Sequence, residues 1–281
     1  GDNIRNYGNI VFNAQLTRVF GLRVAYANSF WDYDDENSNL ADFLNDGASY
    51  SGTLDRIEHL PEIEARWQLA PQTLGLIGYK YRDVHYTGDE ITKIDFPFFV
   101  TSESRDYRSH YGYLGIEHQF RPDLFFSLRG GVSSTDNYND PNDTTGLAPY
   151  VSASLTYEHT ADTTFGAGFS QDFSTTDQIG DADDFVRGVN NSVFYLWARH
   201  RLAPSLYISG QGTFQYSVYD GGGDDYDGNA DMFLTGSISL EYWFNKHLSA
   251  SVGYNIDHLN SDIPFRDYSR NRAYIGLSAT Y

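Results

Sequence analysis

From Arg272 to Tyr281 the chain alternates without a break. Ala273, Ile275, Leu277, Ala279 and Tyr281 interleave with Arg272, Tyr274, Gly276, Ser278 and Thr280. A period of two marks a β-strand whose two faces meet different surroundings, one apolar and one polar. The segments before it repeat the scheme. Leu248, Ala250, Val252, Tyr254 and Ile256 oppose Ser249, Ser251, Gly253, Asn255 and Asp257, and Leu234, Ile238, Leu240, Tyr242 and Phe244 oppose Thr235, Ser237, Ser239 and Glu241.

The connections between such segments alternate in length. Short ones fall near residues 18–20, 70–72, 121–123, 160–162, 202–205 and 245–247; long polar ones fall near 34–56, 88–105, 136–146, 175–188, 220–230 and 260–269. Six turns and six loops separate about thirteen strands, each long enough for the roughly 9–11 residues that cross a bilayer. Short turns on the periplasmic side and long loops outside are the pattern of a transmembrane barrel. Phe20, Trp67, Phe120, Phe125, Tyr157, Phe165, Phe244 and Tyr281 stand within a few residues of a short connection, where an interfacial aromatic girdle belongs.

Composition narrows the classes further. The 281 residues carry 19 Lys+Arg against 38 Asp+Glu, a net charge of −19, with no cysteine and 16% aromatics. Without cysteine there is no disulfide scaffold, zinc finger or thiol nucleophile. The acidic balance speaks against nucleic acid, whose phosphates require a basic face. The abundance of Tyr, Phe and Trp speaks against disorder. Mean hydropathy is −0.49 and no charge-free apolar run is long enough for a transmembrane helix, but a barrel exposes apolar side chains only at alternate positions and keeps a low average.

Thirteen is an awkward number, because bacterial single-chain barrels have even strand counts. The first strand, around Tyr7 to Leu16, leads into a short turn. The simplest reading is one further strand upstream of Gly1, giving fourteen, with twelve and sixteen as alternatives. The fold expected is therefore all-β, an antiparallel up-and-down transmembrane β-barrel in one domain over residues 1–281.

The final aromatic Tyr281, preceded by Ala279, Leu277 and Ile275, resembles the C-terminal signal that outer-membrane barrels present to the barrel assembly machinery. Strands such as 74–83, LGLIGYKYRD, and 155–159, LTYEH, with Tyr- and Asp-rich loops, resemble the outer-membrane β-barrel porins, some of them associated with surface polysaccharide export. That resemblance implies a bacterial outer-membrane location, contact with lipid and lipopolysaccharide, and a surface polysaccharide or protein assembly as a candidate partner of the loops.

A fourteen-strand barrel would have a circumference of about 88 Å and a backbone diameter of about 28 Å, too wide for side chains to fill. Its polar face takes Glu62, Glu64, Arg66, Lys80, Arg82, Glu117, Arg129, Glu158, Asp172, Arg199, Glu241, Asp257 and Arg272. Both signs occur, which suits cross-strand ion pairs better than a single-sign filter. Two readings follow: a passive pore for small hydrophilic solutes, or a sealed barrel whose charges neutralise one another.

The loops hold the excess of acid. Asp225, Asp227, Asn229 and Asp231 recur at every second residue, and clustered oxygens of this kind suit Ca²⁺. The EF-hand pattern is not met, so a solvated acidic loop stands beside a structural calcium site. The run Ile94-Asp95-Phe96-Pro97-Phe98-Phe99-Val100 is apolar where a loop should be wet. Phe96, Phe98 and Phe99 are candidates for a constriction in the barrel mouth or for contact with a partner. No enzyme is expected: His-Glu-x-x-His, Gly-x-Ser-x-Gly and a phosphate loop are all missing, and neighbours such as Asp83 and His85 arise by chance among eight histidines. Besides the pore, the sequence supports an anchor or scaffold at the surface and, third, a soluble β-sandwich.

Overall fold

A computed structural model of the chain describes residues 3–34, 50–88, 90–95, 98–139, 145–176, 178, 186–223 and 225–280. Thirteen strands form one antiparallel sheet: β1 (Asn3–Gln15), β2 (Phe20–Tyr33), β3 (Arg56–Ala70), β4 (Thr73–Tyr86), β7 (Tyr107–Arg121), β8 (Leu124–Asp136), β9 (Thr145–Thr160), β10 (Thr163–Ser174), β11 (Val186–Ala203), β12 (Leu206–Gly221), β13 (Ala230–Asn245), β14 (Leu248–Ser261) and β15 (Tyr268–Ala279). Each pairs with the next in chain order, β4 with β7 across a small insertion. At 12 to 18 residues every strand exceeds the roughly 9–11 needed to cross hydrocarbon, leaving both ends in the interface or in water.

The short connections close by local side-chain bonds. Asn245 Oδ1 accepts from the amides of His247 at 2.8 Å and Leu248 at 3.1 Å, and Thr17 Oγ1 accepts from Phe20 N at 3.0 Å. These are the side-chain-to-backbone bonds by which Asn and Thr hold tight turns.

Two expected loops carry structure of their own. Helix α1 (Tyr50–Leu54) precedes β3. Residues 88–105 contain the two-stranded sheet of β5 (Ile91–Asp95) and β6 (Phe98–Thr101), followed by a 3-10 turn at Ser102–Arg105. The apolar, β-prone run that looked out of place in a wet loop pairs with itself, Ile94 opposite Phe99 and Asp95 opposite Phe98.

Registration divides the large sheet into two faces. Ile10, Ile77, Leu114, Val132, Leu196, Ile238, Val252 and Ile275 share one face and are all exposed, Leu114 at 64% and Ile275 at 85%. A soluble protein rarely leaves more than a few hundred Å² of contiguous apolar surface bare, and here the band runs over every strand. Tyrosines on this face bond to histidines near the strand ends, as with Tyr26 Oη to His59 Nδ1 at 2.7 Å and Tyr79 Oη to His110 Nδ1 at 2.6 Å, the amphipathic arrangement of a membrane interface. One member of the expected girdle is corrected. Phe125 stands opposite Gln119 on the polar face, and Phe126 takes its place beside Phe120, with ring centroids 6.2 Å apart.

On the polar face large rings lie over glycines of the adjacent strand. A Cβ on Gly78 would stand 2.1 Å from the Tyr113 ring, and one on Gly168 would stand 2.3 Å from the Tyr195 ring. Gly168→Val should therefore destabilise the sheet by about 1–3 kcal/mol through overpacking. Gly130→Ala, with nothing within 4 Å of its Cβ, should leave it unchanged. The temperature at which the folded band converts to the unfolded one on a detergent gel measures both.

Candidate functional site

The polar face is the concave one, since its side chains meet from strands far apart in the sheet. Lys80 on β4 approaches Asp172 on β10 at 3.5 Å, and Arg82 approaches the same carboxylate at 3.1 Å. Arg82 also donates to the Phe173 carbonyl at 2.6 Å. Four strand spacings separate β4 from β10. In a round section closed by the thirteen described strands that is a chord of about 21 Å, more than an arginine and an aspartate joined by one hydrogen bond can span. The wall is therefore drawn in at this level.

Beside this crossing lies a balanced cluster. Arg23 pairs with Glu62 at 2.6 Å, Arg66 with Glu117 at 2.6 Å, and Arg129 with Glu64 at 3.1 Å and Glu117 at 3.0 Å. Tyr113 donates to Glu62. Three guanidinium groups thus face three carboxylates, one of which, Glu64, is fully buried. Burying that carboxylate would be prohibitive without its cationic partners. The Lys80 ammonium sits 3.8 Å from the centroid of Tyr111 and 4.6 Å from that of Tyr150, a two-ring cation–π cradle. Tyr150, Ser152, Asn13 and the members of the cluster other than Glu64 line one open cavity.

The thirteen candidates read from sequence all fall on this face by register. Glu62, Glu64, Arg66, Glu117 and Arg129 form the cluster, and Lys80, Arg82 and Asp172 form the crossing. Arg199 meets Glu241 at 3.3 Å, Arg272 meets Asp257 at 3.3 Å, and Glu158 stands exposed near the short turns. Arg23, Arg270, Tyr111, Tyr113 and Tyr150 belong with them and were missed. Strict alternation with Val24 and Leu114 would have found Arg23 and Tyr113; the tyrosines were passed over because the ring suits lipid and water alike.

The calcium candidates point to different partners. Asp231 accepts from Tyr219 at 2.7 Å and Arg266 at 2.9 Å, Asp227 accepts from the Gly221 amide at 3.0 Å, and Asn229 donates to the Asp225 carbonyl at 2.7 Å. Among the described residues no three His, Asp or Glu side chains are placed to hold a metal. Ile275, Leu277 and Ala279 lie together on the apolar face of β15, and Tyr281 lies outside the described residues. So does Phe96; Phe98 and Phe99 lie in β6.

At the long-loop end, three buried side chains join two loops. Ser51 Oγ lies 2.8 Å from Asp55 Oδ2 and 2.7 Å from Glu90 Oε1. A hydroxyl has one proton to give, so two ionised carboxylates leave one contact unmatched. A proton on Asp55 completes the chain from Asp55 through Ser51 to Glu90. Burial pushes the Asp55 carboxyl up to about 6, with the charges of Asp32 and Glu90 adding to it against the bonds from Ser51 and the Tyr33 amide. A carboxyl whose value is raised on folding stabilises most in its neutral form, and that contribution is lost as pH rises through the raised value. Exchange of the Asp55 amide, bonded to Ser51 O at 2.9 Å, should accelerate as pH rises through about 6 beyond its intrinsic pH dependence. Asp55→Asn should remove that excess, and a wild-type profile without it would contradict the linkage.

Residues 131–281 match the family described as "Putative beta-barrel porin 2", more than half of the chain. The chain belongs to this porin family. It is an outer-membrane β-barrel of the bacterial envelope. No curated protein matches its sequence. Among solved structures it is similar to the FrpB iron transporter of Neisseria meningitidis, at 10% identity and a TM-score of 0.56 over 99% of this chain and 48% of that one. It is also similar to the copper transporter OprC, at 10% identity and 0.52 over 99% and 50%. The chain spans about half the length of these two transporters, and at such identities the likeness concerns fold alone. OmpT of Vibrio cholerae aligns at 12% identity over 99% of this chain and 95% of that one, with a TM-score of 0.44.

Proposed function

We propose that this porin-family barrel carries a water-filled passage for small hydrophilic solutes, by diffusion and without catalysis. The observation that carries the reading is the concave face itself. Around the ion-pair cluster it is lined by charged side chains and hydroxyls, towards the long loops Val84, Tyr86, Tyr107 and Phe173 pack together, and it narrows where Lys80 and Arg82 meet Asp172. An interior sealed by side chains alone would have to bury many charges, each at a cost that pairing only partly offsets. In this reading the long loops face outward, lipid and lipopolysaccharide surround the apolar band, and the assembly machinery reads the outer face of β15.

A purified, folded sample should give discrete, ohmic current steps in a planar bilayer. Lys80→Ala and Arg82→Ala combined with Asp172→Ala remove both sides of the crossing, the Arg82 bond to the Phe173 carbonyl included, and should enlarge the unit step. A membrane that stays silent while the folded protein is inserted would contradict the passage.

One observation favours a second role at the surface. Phe265, in the loop between β14 and β15, is fully exposed and holds a φ of 65°, a left-handed backbone that a bulky residue occupies only at a cost. A strained, bare aromatic at the long-loop end suits attachment to a surface polysaccharide or protein assembly. Phe265→Gly should relax the turn and leave conductance unchanged while weakening retention of purified surface polysaccharide by the barrel. Equal retention by the variant would remove this role for Phe265.

A further inference from the structure

We propose that the passage selects anions, and that its solutes are small molecules bearing a carboxylate, sulfate or phosphate. This rests on the pore reading and runs against the sign of the whole chain, which is −19.

The first observation is the stoichiometry of the wall. Arg270 and Arg272, two residues apart on β15, both bind the single carboxylate of Asp257 on β14, at 2.7 and 3.3 Å. Lys80 and Arg82, two residues apart on β4, both bind the single carboxylate of Asp172. Each group leaves one positive charge over. The neighbouring cluster of Arg23, Arg66 and Arg129 with Glu62, Glu64 and Glu117 balances, as does Arg199 with Glu241, and Glu158 offsets one of the two charges left over, so the wall stays positive by one.

The second observation is which charge meets the water. Arg66 and Arg129 are 27% and 21% exposed and Glu64 not at all, and Asp257, at 8%, lies beneath Arg270 and Arg272 on the last strand of the sheet. The carboxylates are tucked against the wall and the guanidinium groups stand over them. At Asp172 the carboxylate is the more exposed member, and there the two-to-one count decides. A solute moving along β14–β15 therefore meets guanidinium planes. These donate in a rigid fork that suits carboxylate and phosphate oxygens, and charged side chains lining a pore set its ionic preference.

The acid that gives the chain its charge is concentrated elsewhere. Runs such as Asp34 to Glu36 and Asp181 to Asp184 fall in the sequence between strands. At physiological salt a charge is screened over about 8 Å, so acid beyond the strands weighs less on a permeating ion than groups at the wall it passes.

The reversal potential across a bilayer holding asymmetric KCl tests this with the folded wild-type barrel. Its sign should be that of the chloride equilibrium potential, and Arg270→Glu with Arg272→Glu should move it towards that of potassium. Arg272→Gln alone should move it part of the way. A wild-type potential at zero or of potassium sign overturns the anion preference and leaves the passage standing. A wild-type sign that both variants leave unmoved overturns the assignment to β15. A silent bilayer overturns the passage and the selectivity with it.

Discussion

Inside a bilayer no water is present to satisfy a peptide group, so every N–H and C=O on a membrane-crossing segment must find its partner in protein. This chain meets the demand with a continuous antiparallel ladder in which each strand of the large sheet pairs with its neighbour. Everything else follows from that ladder. Because strand side chains alternate, one ladder presents two faces, and one sheet can meet lipid on one side and water on the other. The same alternation keeps the mean hydropathy at −0.49 although the outer face is apolar from β1 to β15.

The inner face answers a different constraint. Charges there sit in a narrowed space and have to be compensated locally, which is why Glu64, at zero exposure, is reached by guanidinium groups from both Arg66 and Arg129. Aromatic rings laid over Gly78 and Gly168 fill the space those glycines leave open. At the long-loop end, α1 and the turn that follows β6 are tied by buried polar groups. Arg105 donates to the Thr53 carbonyl at 2.8 Å and its guanidinium lies 4.7 Å from the centroid of Tyr86. Wall, narrowing and loops are thus held by different interactions, the wall by continuous backbone pairing.

What could be read in the sequence follows the same division. Alternation put Ile275 and Leu277 on one face and Arg272 on the other, and turn chemistry placed the connection at 245–247, because both are local properties of neighbouring residues. The partner of Lys80 could not be read, since Asp172 is 92 residues away and only the curl of the sheet brings them together. Ser51, Asp55 and Glu90 were invisible for the same reason. Phe125 was grouped with the girdle for its nearness to the turn at 121–123, although it shares the parity of Arg129 and so falls on the polar face. The inward tyrosines were overlooked because a phenol ring suits an interface, a cradle for Lys80 or a lid over glycine, and composition cannot choose among them.

The central claim is that one strand faces two solvents in strict alternation. The chain has no cysteine, so single cysteines can be introduced one at a time along β14, at Ala250, Ser251, Val252, Tyr254 and Asn255, in protein reconstituted into vesicles. Cysteines at 251 and 255 should react with a water-soluble, membrane-impermeant maleimide. Cysteines at 250, 252 and 254, carrying a fluorophore, should be quenched by spin-labelled lipid. Equal aqueous labelling at all five positions, or equal quenching at all five, would contradict the account.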